Sequence, residues 1–207
     1  MRSTQIPLFT PETEWVMPEE LKDLKGYKEI AVDLETNDPK LIELGSGNVT
    51  GNGHIAGIAI AVEGWAGYFP IYHESGGNLD KKLVYSWLQE IFNQTDTTFI
   101  FHNAMYDVCW LRTEGLIVKG KIVDTMIAAS LIDENRLSYQ LNTLSRHYIG
   151  MGKDENILNA AAKEYGLDPK KDMWRLPALF VGQYAERDAE ATLKLWKKLE
   201  TELYKEE

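Results

Sequence analysis

One cysteine in 207 residues, Cys109, excludes an internal disulfide and any multi-cysteine zinc site. Between Val108 and Trp110 it reads as a buried, inert thiol. No apolar run approaches the ~18 residues needed to span a membrane. The start, Met1-Arg2-Ser3-Thr4-Gln5-Ile6-Pro7-Leu8-Phe9, lacks a signal-peptide core. The expected setting is reducing and cytoplasmic. Basic residues are the minority: 22 Lys and Arg against 32 Asp and Glu give a net charge of −10. That argues against a broad basic surface gripping nucleic acid. It leaves room for a phosphodiester held locally, through metal ions. A phosphate-binding loop is missing as well. The cluster Gly45-Ser46-Gly47-Asn48-Val49-Thr50-Gly51-Asn52-Gly53 has no strand leading straight in and no helix opening straight out, and no Gly-Lys-Ser/Thr closes it. It is expected to be a mobile loop. His73, His102 and His147 have no metal-ligand spacing, and no internal repeat is visible.

What is present is an ordinary globular balance, 44% hydrophobic and 26% charged, enough for one fairly large domain with a sizeable core. Residues 1–20, with Pro7, Pro11 and Pro18, form an expected arm, and residues 21–207 the domain. Ile30, Val32 and Leu34 alternate with Ala31, Asp33 and Glu35, which predicts a strand over 27–35. Two further strands, 54–62 and 67–71, are joined by Glu63-Gly64-Trp65-Ala66 as a hairpin. Short strands follow at 97–102 and 121–123. Helices are predicted over 80–92 with Asn78 or Asp80 near the cap, over 104–114 with Gly115 as the stop, and over 125–132 with Asp124 as N-cap. Three more cover 139–148, 157–165 and 181–204. Strands first, then strands alternating with helices, imply an α/β fold. Its sheet is mixed, antiparallel at the hairpin and parallel where helices cross over.

Three acidic motifs interrupt this pattern: Val32-Asp33-Leu34-Glu35-Thr36, Asn103-Ala104-Met105-Tyr106-Asp107 and Tyr184-Ala185-Glu186-Arg187-Asp188. Each sets a carboxylate where an apolar side chain belongs. Asp33 and Glu35, two apart on a strand, project side by side at its C-terminal end, opposite Ile30, Val32 and Leu34. Asp107 shares a helix face with Ala104, Val108 and Leu111. Asp188 lies in the stripe of Val181, Tyr184, Ala185, Thr192, Leu195 and Leu199, with Tyr184 one turn away. Any one of these acids alone has a plain explanation as an ion pair or a cap. Three inward sites would each need a buried cation, and the arginines outside the arm are only Arg112, Arg136, Arg146, Arg175 and Arg187. Convergent carboxylates cannot all stay ionised without positive charge. Oxygen-only ligands favour Mg²⁺ or Mn²⁺ over zinc. Two such ions ~3.5–4 Å apart are the standard arrangement for in-line attack on a phosphodiester.

The ordered set Asp-x-Glu, Asn-x-x-x-Asp and Tyr-x-x-x-Asp resembles the three motifs of the DEDD 3′–5′ exonucleases. Tyr184, with Gln183 beside it, resembles their tyrosine branch. Phe101-His102-Asn103, Asp124-Thr125-Met126-Ile127-Ala128-Ala129 and Asp188-Ala189-Glu190-Ala191-Thr192-Leu193 resemble the proofreading domain of bacteriophage-type family A DNA polymerases. The likeness runs from about residue 15 to the end. It implies a ribonuclease-H-like fold, a mixed five-stranded sheet flanked by helices. It also implies metal-dependent release of nucleoside 5′-monophosphates from the 3′ end of single-stranded DNA. The catalytic positions by this resemblance are Asp33, Glu35, Asp107, Tyr184 and Asp188. Asp33 is expected to bridge two Mg²⁺ or Mn²⁺ ions, Glu35 and Asp188 to help hold the ion carrying the nucleophilic water, and Asp107 to hold the second ion through water. Tyr184 is expected to orient that water, and Asn103 and the backbone near Thr36 to meet the terminal nucleotide.

An exoribonuclease of the RNase D kind shares this chemistry, because the motifs do not read the 2′-hydroxyl. A non-catalytic binding domain predicts eroded acids, and none is eroded. The segment from Leu199 to Glu207 has no glycine or proline stop. Either a polymerase domain is expected to follow it in the natural chain or the nuclease stands alone. The acidic charge suits the first, since a partner domain would supply the DNA grip. The expected setting of a phage protein is the host cytoplasm. Tyr106, Tyr165 and Trp174 are candidates for base stacking, although aromatic residues at such positions more often serve the core.

Overall fold

The computed structural model describes residues 9–205. The start of the arm, Pro7 included, and Glu206 and Glu207 lie outside the described residues. Among the described residues, one sheet has the order β3-β2-β1-β4-β5, built from β1 (Glu29–Asn37), β2 (His54–Val62), β3 (Trp65–Pro70), β4 (Thr98–Phe101) and β5 (Lys121–Asp124). β2 is antiparallel to β1 and β3, whereas β4 is parallel to β1 and β5. This is the mixed α/β sheet expected. The hairpin closes through Glu63 and Gly64 alone, because Trp65 already pairs with Val62. β1 continues to Asn37 rather than ending at Glu35. Its register slips there, with Glu35 opposite Gly57 and Thr36 opposite Ile55, and such a bulge breaks the two-residue period.

The glycine cluster after β1 is shaped rather than featureless. A single-turn helix, α1 (Leu41–Leu44), leads into it and a second, α2 (Gly47–Thr50), lies within it, and Asp38 Oδ2 accepts the Gly47 N–H at 3.0 Å. The longer helices are α3 (Lys81–Phe92), α4 (Ala104–Thr113), α5 (Thr125–Ile132), α6 (Leu141–Ile149), α7 (Asn156–Tyr165) and α8 (Gly182–Leu203). Asp80 caps α3, accepting from Lys82 N at 2.8 Å and Leu83 N at 3.1 Å. Two 3₁₀ turns, Met173–Arg175 and Ala178–Phe180, precede α8, and no periodicity announces them. Among the described residues no helix is long and apolar enough to cross a membrane. Cys109 is partly exposed, contrary to expectation. The buried positions of α4 are Ala104, Asp107, Trp110 and Leu111, and Cys109 falls off that face.

The two faces of the sheet differ in bulk. β2 alternates isoleucine with small residues: Ile58, Ile60 and Val62 point one way, Gly57, Ala59 and Ala61 the other. Ile30, Val32 and Leu34 of β1 join the bulky side, which packs on α3 and α4 through Leu88, Phe92 and Leu111. Ala31 joins the small side, covered by α8 through Ala185 and Ala189. Small side chains on both partners let helix and sheet approach closely.

Across this small face run Asp33, Ala59 and Tyr68 in one row, with Glu35 opposite Gly57 beside them. The Tyr68 ring leans over Gly57, so that a Cβ there would fall inside the ring. The ring is fixed at its far end. Tyr68 OH is 2.7 Å from His73 Nε2, and His73 Nδ1 is 2.8 Å from the Leu176 carbonyl. A carbonyl only accepts, so Nδ1 carries the proton and Nε2 accepts from Tyr68. Burial pushes the His73 pKa down to about 4 and keeps the ring neutral. The arm also docks here. Trp15 lies over Gly182, where no side chain would fit, and its Nε1 donates to Glu186 Oε1 at 2.7 Å. The same oxygen accepts the Tyr68 N–H at 3.0 Å, so Glu186 ties arm, β3 and α8 together.

Gly57→Ala is therefore expected to cost about 1–3 kcal/mol by overpacking. The measurement is urea unfolding, with a lowered midpoint at unchanged slope. A midpoint equal to the parent's would mean that the Tyr68 ring can move aside.

Candidate active site

Two helices, α4 and α8, converge on the C-terminal half of β1. Asp33 and Glu35 stand on its small face, beneath α8, and both are partly buried. Asp188 comes from α8 and is 8% exposed; Asp107 comes from α4 and is 5% exposed. The structure thus brings the acids of all three motifs to one place. The route taken by Asp107 is specific. β1 pairs with β4 only as far as Ala31 opposite Ile100. Past that point Asp107 Oδ1 accepts the Leu34 N–H at 3.1 Å. A helix side chain continues the ladder where the strand has ended, satisfying a buried donor and fixing the carboxylate near Asp33.

The corner that launches α4 is strained. Asn103 has φ 65°, the only positive value at a non-glycine residue among those described. Asp124 holds it, accepting from Asn103 N at 3.0 Å and Ala104 N at 2.8 Å. Asp124 also accepts from Met126 N at 2.8 Å, so it is the N-cap expected of it and anchors the starts of two helices. The Asn103 side chain is exposed and makes no cap bond. Thr36 Oγ1 is 2.8 Å from the Tyr106 hydroxyl, which donates to Asp38 Oδ2 at 3.0 Å, so Thr36 donates to Tyr106. Of the other stacking candidates, Tyr165 packs on Phe180 and Trp174 meets His54 edge-on.

Three of the acids, Asp33, Glu35 and Asp107, have raised pKa values. Burial, then Asp188, pushes Asp33 up to about 8, with Lys153 opposing. Burial, then Asp33 and Asp188, raises Glu35, again against Lys153. Burial, then Asp33, raises Asp107, and the Leu34 N–H works the other way. Tyr184 is pushed up by burial and by Glu35, Asp188 and Asp33, so its phenol keeps its hydrogen at neutral pH. It offers an O–H to a hydrogen bond, not a phenolate base.

The cation among these acids is a residue that no sequence pattern singled out. Lys153, in the loop between α6 and α7, has Nζ 3.1 Å from Asp188 Oδ2 and 2.9 Å from the Tyr184 hydroxyl. Only tertiary folding brings it to α8, so neither periodicity nor spacing marks it. Among the described residues, no three His, Cys, Asp or Glu side chains are drawn close enough to hold an ion as they stand. The acids are held apart one by one, Asp107 by Leu34 N–H and Asp188 by Lys153, and like charges repel. In chemistry the set fits a hard divalent cation. Its donors are carboxylate oxygens, and a cation offsets the repulsion that raises their pKa.

The 3′–5′ exonuclease family model matches residues 9–204. A DNA-directed DNA polymerase of Pseudomonas phage M6 is 40% identical over 210 residues, covering 98% of this chain and 32% of that protein. DNA polymerase I of Synechocystis sp. is 28% identical over 136 residues, covering 66% of this chain and 13% of that protein. This chain therefore spans a third or less of these relatives' length. Among solved structures, Brucella melitensis NrnC superposes with a TM-score of 0.63 at 18% identity, over 90% of this chain and 79% of that one. At that identity the likeness concerns the fold alone.

The raised carboxylates fix a pH dependence. Asp33, Glu35 and Asp107 bind protons in the fold that the unfolded chain has already released, so their stabilising contribution is full at low pH and lost as pH rises through the folded values. His54, His73 and His102 act oppositely: lowered in the fold, they add stability as pH rises to 6.5 and nothing beyond it. The carboxylates therefore act alone from pH 6.5 to about 8, the upper bound set by Asp33. Over that window the metal-free protein is expected to lose up to about 1.4 kcal/mol per pH unit for each proton released. Saturating Mg²⁺ is expected to flatten the loss. Thermal melts in chelator and in Mg²⁺ at the two ends of the window measure both, and a flat profile in chelator would mean that the acids are already ionised in the fold.

Proposed function

The chain belongs to the 3′–5′ exonuclease family, and we propose that it hydrolyses the terminal phosphodiester at the 3′ end of single-stranded DNA, releasing nucleoside 5′-monophosphates. The observation that carries this reading is the gathering of Asp33, Glu35, Asp107 and Asp188 with a neutral Tyr184 at the end of β1. In this reading the four acids hold two Mg²⁺ or Mn²⁺ ions, which when bound make a water more acidic and offset charge developing on the phosphodiester.

The residues of the chain do the positioning. Asp188 acts on Asp33, and Asp33 in turn acts on Glu35 and on Asp107, so Asp33 would help hold both ions. Glu35 and Asp188 serve one side and Asp107 the other. The Tyr184 hydroxyl orients the attacking water in line with the scissile bond. The water oxygen bonds to phosphorus as the bond to the 3′-oxygen of the preceding nucleotide breaks, and that oxygen leaves with a proton. The Asn103 amide, exposed and free of capping duty, meets the terminal nucleotide. Thr36 contributes its backbone, since its hydroxyl is engaged by Tyr106.

The phage and bacterial polymerases that this chain partly covers support a proofreading role in the host cytoplasm, with residues 21–207 as the catalytic unit beside a polymerase domain. The net charge of −10 agrees with that division, because the polymerase domain then supplies most of the grip on DNA.

Single strands labelled at either end, incubated with Mg²⁺ or Mn²⁺, test the polarity. The 3′ label is expected to leave first as a mononucleotide, and a ladder shrinking from the 5′ end would sink the proposal. Replacing Asp33 and Glu35 together by Ala is expected to lower the rate by more than about 100-fold, the upper end for losing a mere outer-shell partner of a metal ligand. Full retained activity would refute the site. Matched DNA and RNA strands test the substrate: DNA is expected to be cut faster, and faster RNA cleavage would favour an exoribonuclease of the RNase D kind.

A further inference from the structure

Lys153 has no part in the hydrolysis as proposed, yet the fold is built to place it. The backbone leading into it is pinned. Arg187 of α8 donates Nε and Nη2 to the Gly152 carbonyl at 3.0 and 2.9 Å. Lys153 N donates to Asn142 Oδ1 of α6 at 3.0 Å, and Met151 N to the Ser145 carbonyl at 3.1 Å. From this base the ammonium reaches the Tyr184 hydroxyl at 2.9 Å and Asp188 Oδ2 at 3.1 Å, and Glu155 Oε1 lies beyond at 3.9 Å. The side chain is 22% exposed, and the cavity beside it, bordered by Asn142, Arg187 and Asp188, holds about 10 Å³. That is room for about one water, so the lysine is packed in place.

An ammonium only donates. Its bond to the phenol therefore occupies a lone pair of Tyr184 and turns the phenol's own hydrogen away, toward Asp188 or the water to be oriented. Donation into the oxygen also polarises that O–H. The geometry points to Lys153 as a positioning residue for the hydrolysis: it sets the rotation of the Tyr184 hydroxyl and the orientation of the Asp188 carboxylate without touching the reacting atoms. This rests on the hydrolysis proposed above.

A double-mutant cycle with Lys153→Met and Tyr184→Phe in the 207-residue chain tests it, with oligo(dT) and Mn²⁺ as substrate and metal. Lys153→Met is expected to lower kcat by about 10–100-fold, the scale for losing an orienting partner, with KM for the strand unchanged. In the Tyr184→Phe background the same change is expected to cost less than about threefold, since the hydroxyl through which it acts is gone. Mn²⁺ affinity of the metal-free protein, followed by electron paramagnetic resonance, gives a reading independent of turnover. Removing a positive charge from Asp188 is expected to leave Mn²⁺ binding equal or up to about tenfold tighter. A lysine that merely held the loop together would instead weaken Mn²⁺ binding when lost, and that result overturns the inference. So does an equal loss of kcat in both backgrounds, or a fully active Lys153→Met protein. Loss of activity in the Asp33 and Glu35 double variant alongside a fully active Lys153→Met protein would remove this inference and leave the proposed function standing.

Discussion

Asp33, Glu35, Asp107 and Asp188 repel one another in a place with little water to screen them, and the fold holds them there nonetheless. Burial and the charge of neighbouring acids both oppose the ionisation of Asp33, Glu35 and Asp107. A site that works against itself in this way must be carried by rigid elements rather than by loops. Here β1, α4 and α8 carry it, and the acids of each element are fixed by a different device. Asp33 and Glu35 are set by strand geometry, Asp107 by the Leu34 N–H, and Asp188 by Lys153.

The difference between the two faces of the sheet makes that convergence possible. On the bulky side, Ile30, Val32, Ile58, Ile60 and Phe99 form an apolar core whose burial is favourable. On the other side, Ala31, Ala59 and Ala61 meet Ala185 and Ala189, and little apolar bulk separates helix from sheet. Both faces bury an apolar core, and the second also lets α8 approach the sheet closely. Tyr68 occupies the space over Gly57, the residue opposite Glu35, and His73 holds it in place. Glu186 then couples this row to the arm through Trp15. The helix that carries Tyr184 and Asp188 is thus braced by the segment around Trp15.

Much of this was legible in the sequence, for identifiable reasons. Period-two alternation separated Asp33 and Glu35 from Ile30, Val32 and Leu34, and helical spacing put Asp107 and Asp188 on inward faces. Both periods are local, and burial follows them. Asp124 was legible as a cap because capping is local too. What escaped depends on contacts between distant segments. The slip between Glu35 and Thr36 answers to β2, not to β1. Asp107 bonds to the backbone of a residue 73 positions away. Cys109 sits in an apolar stretch, yet the face chosen by Trp110 and Leu111 leaves it partly exposed. The alternation of isoleucine and alanine in β2 was visible, but its meaning, a close approach by α8, appears only once α8 is in place.

Lys153 shows how the balance of charge and the chemistry meet. Counting arginines as the available counter-ions left the acids uncompensated, and one lysine from a loop supplies part of what was missing. One ammonium cannot neutralise four carboxylates, so the site retains a demand for further positive charge, which is the condition for binding divalent cations. In the proposed reading two divalent ions match the four acids. The charge of Lys153 is then a surplus, and it stands beside Tyr184 where a phosphodiester brings its own negative charge. A lysine in that position is needed twice, first to hold Asp188 in the metal-free site and then to hold the phenol steady when the ions have taken over the neutralisation of the acids. The clamp of Arg187 on Gly152 serves both, because it fixes the loop whichever partner the ammonium faces.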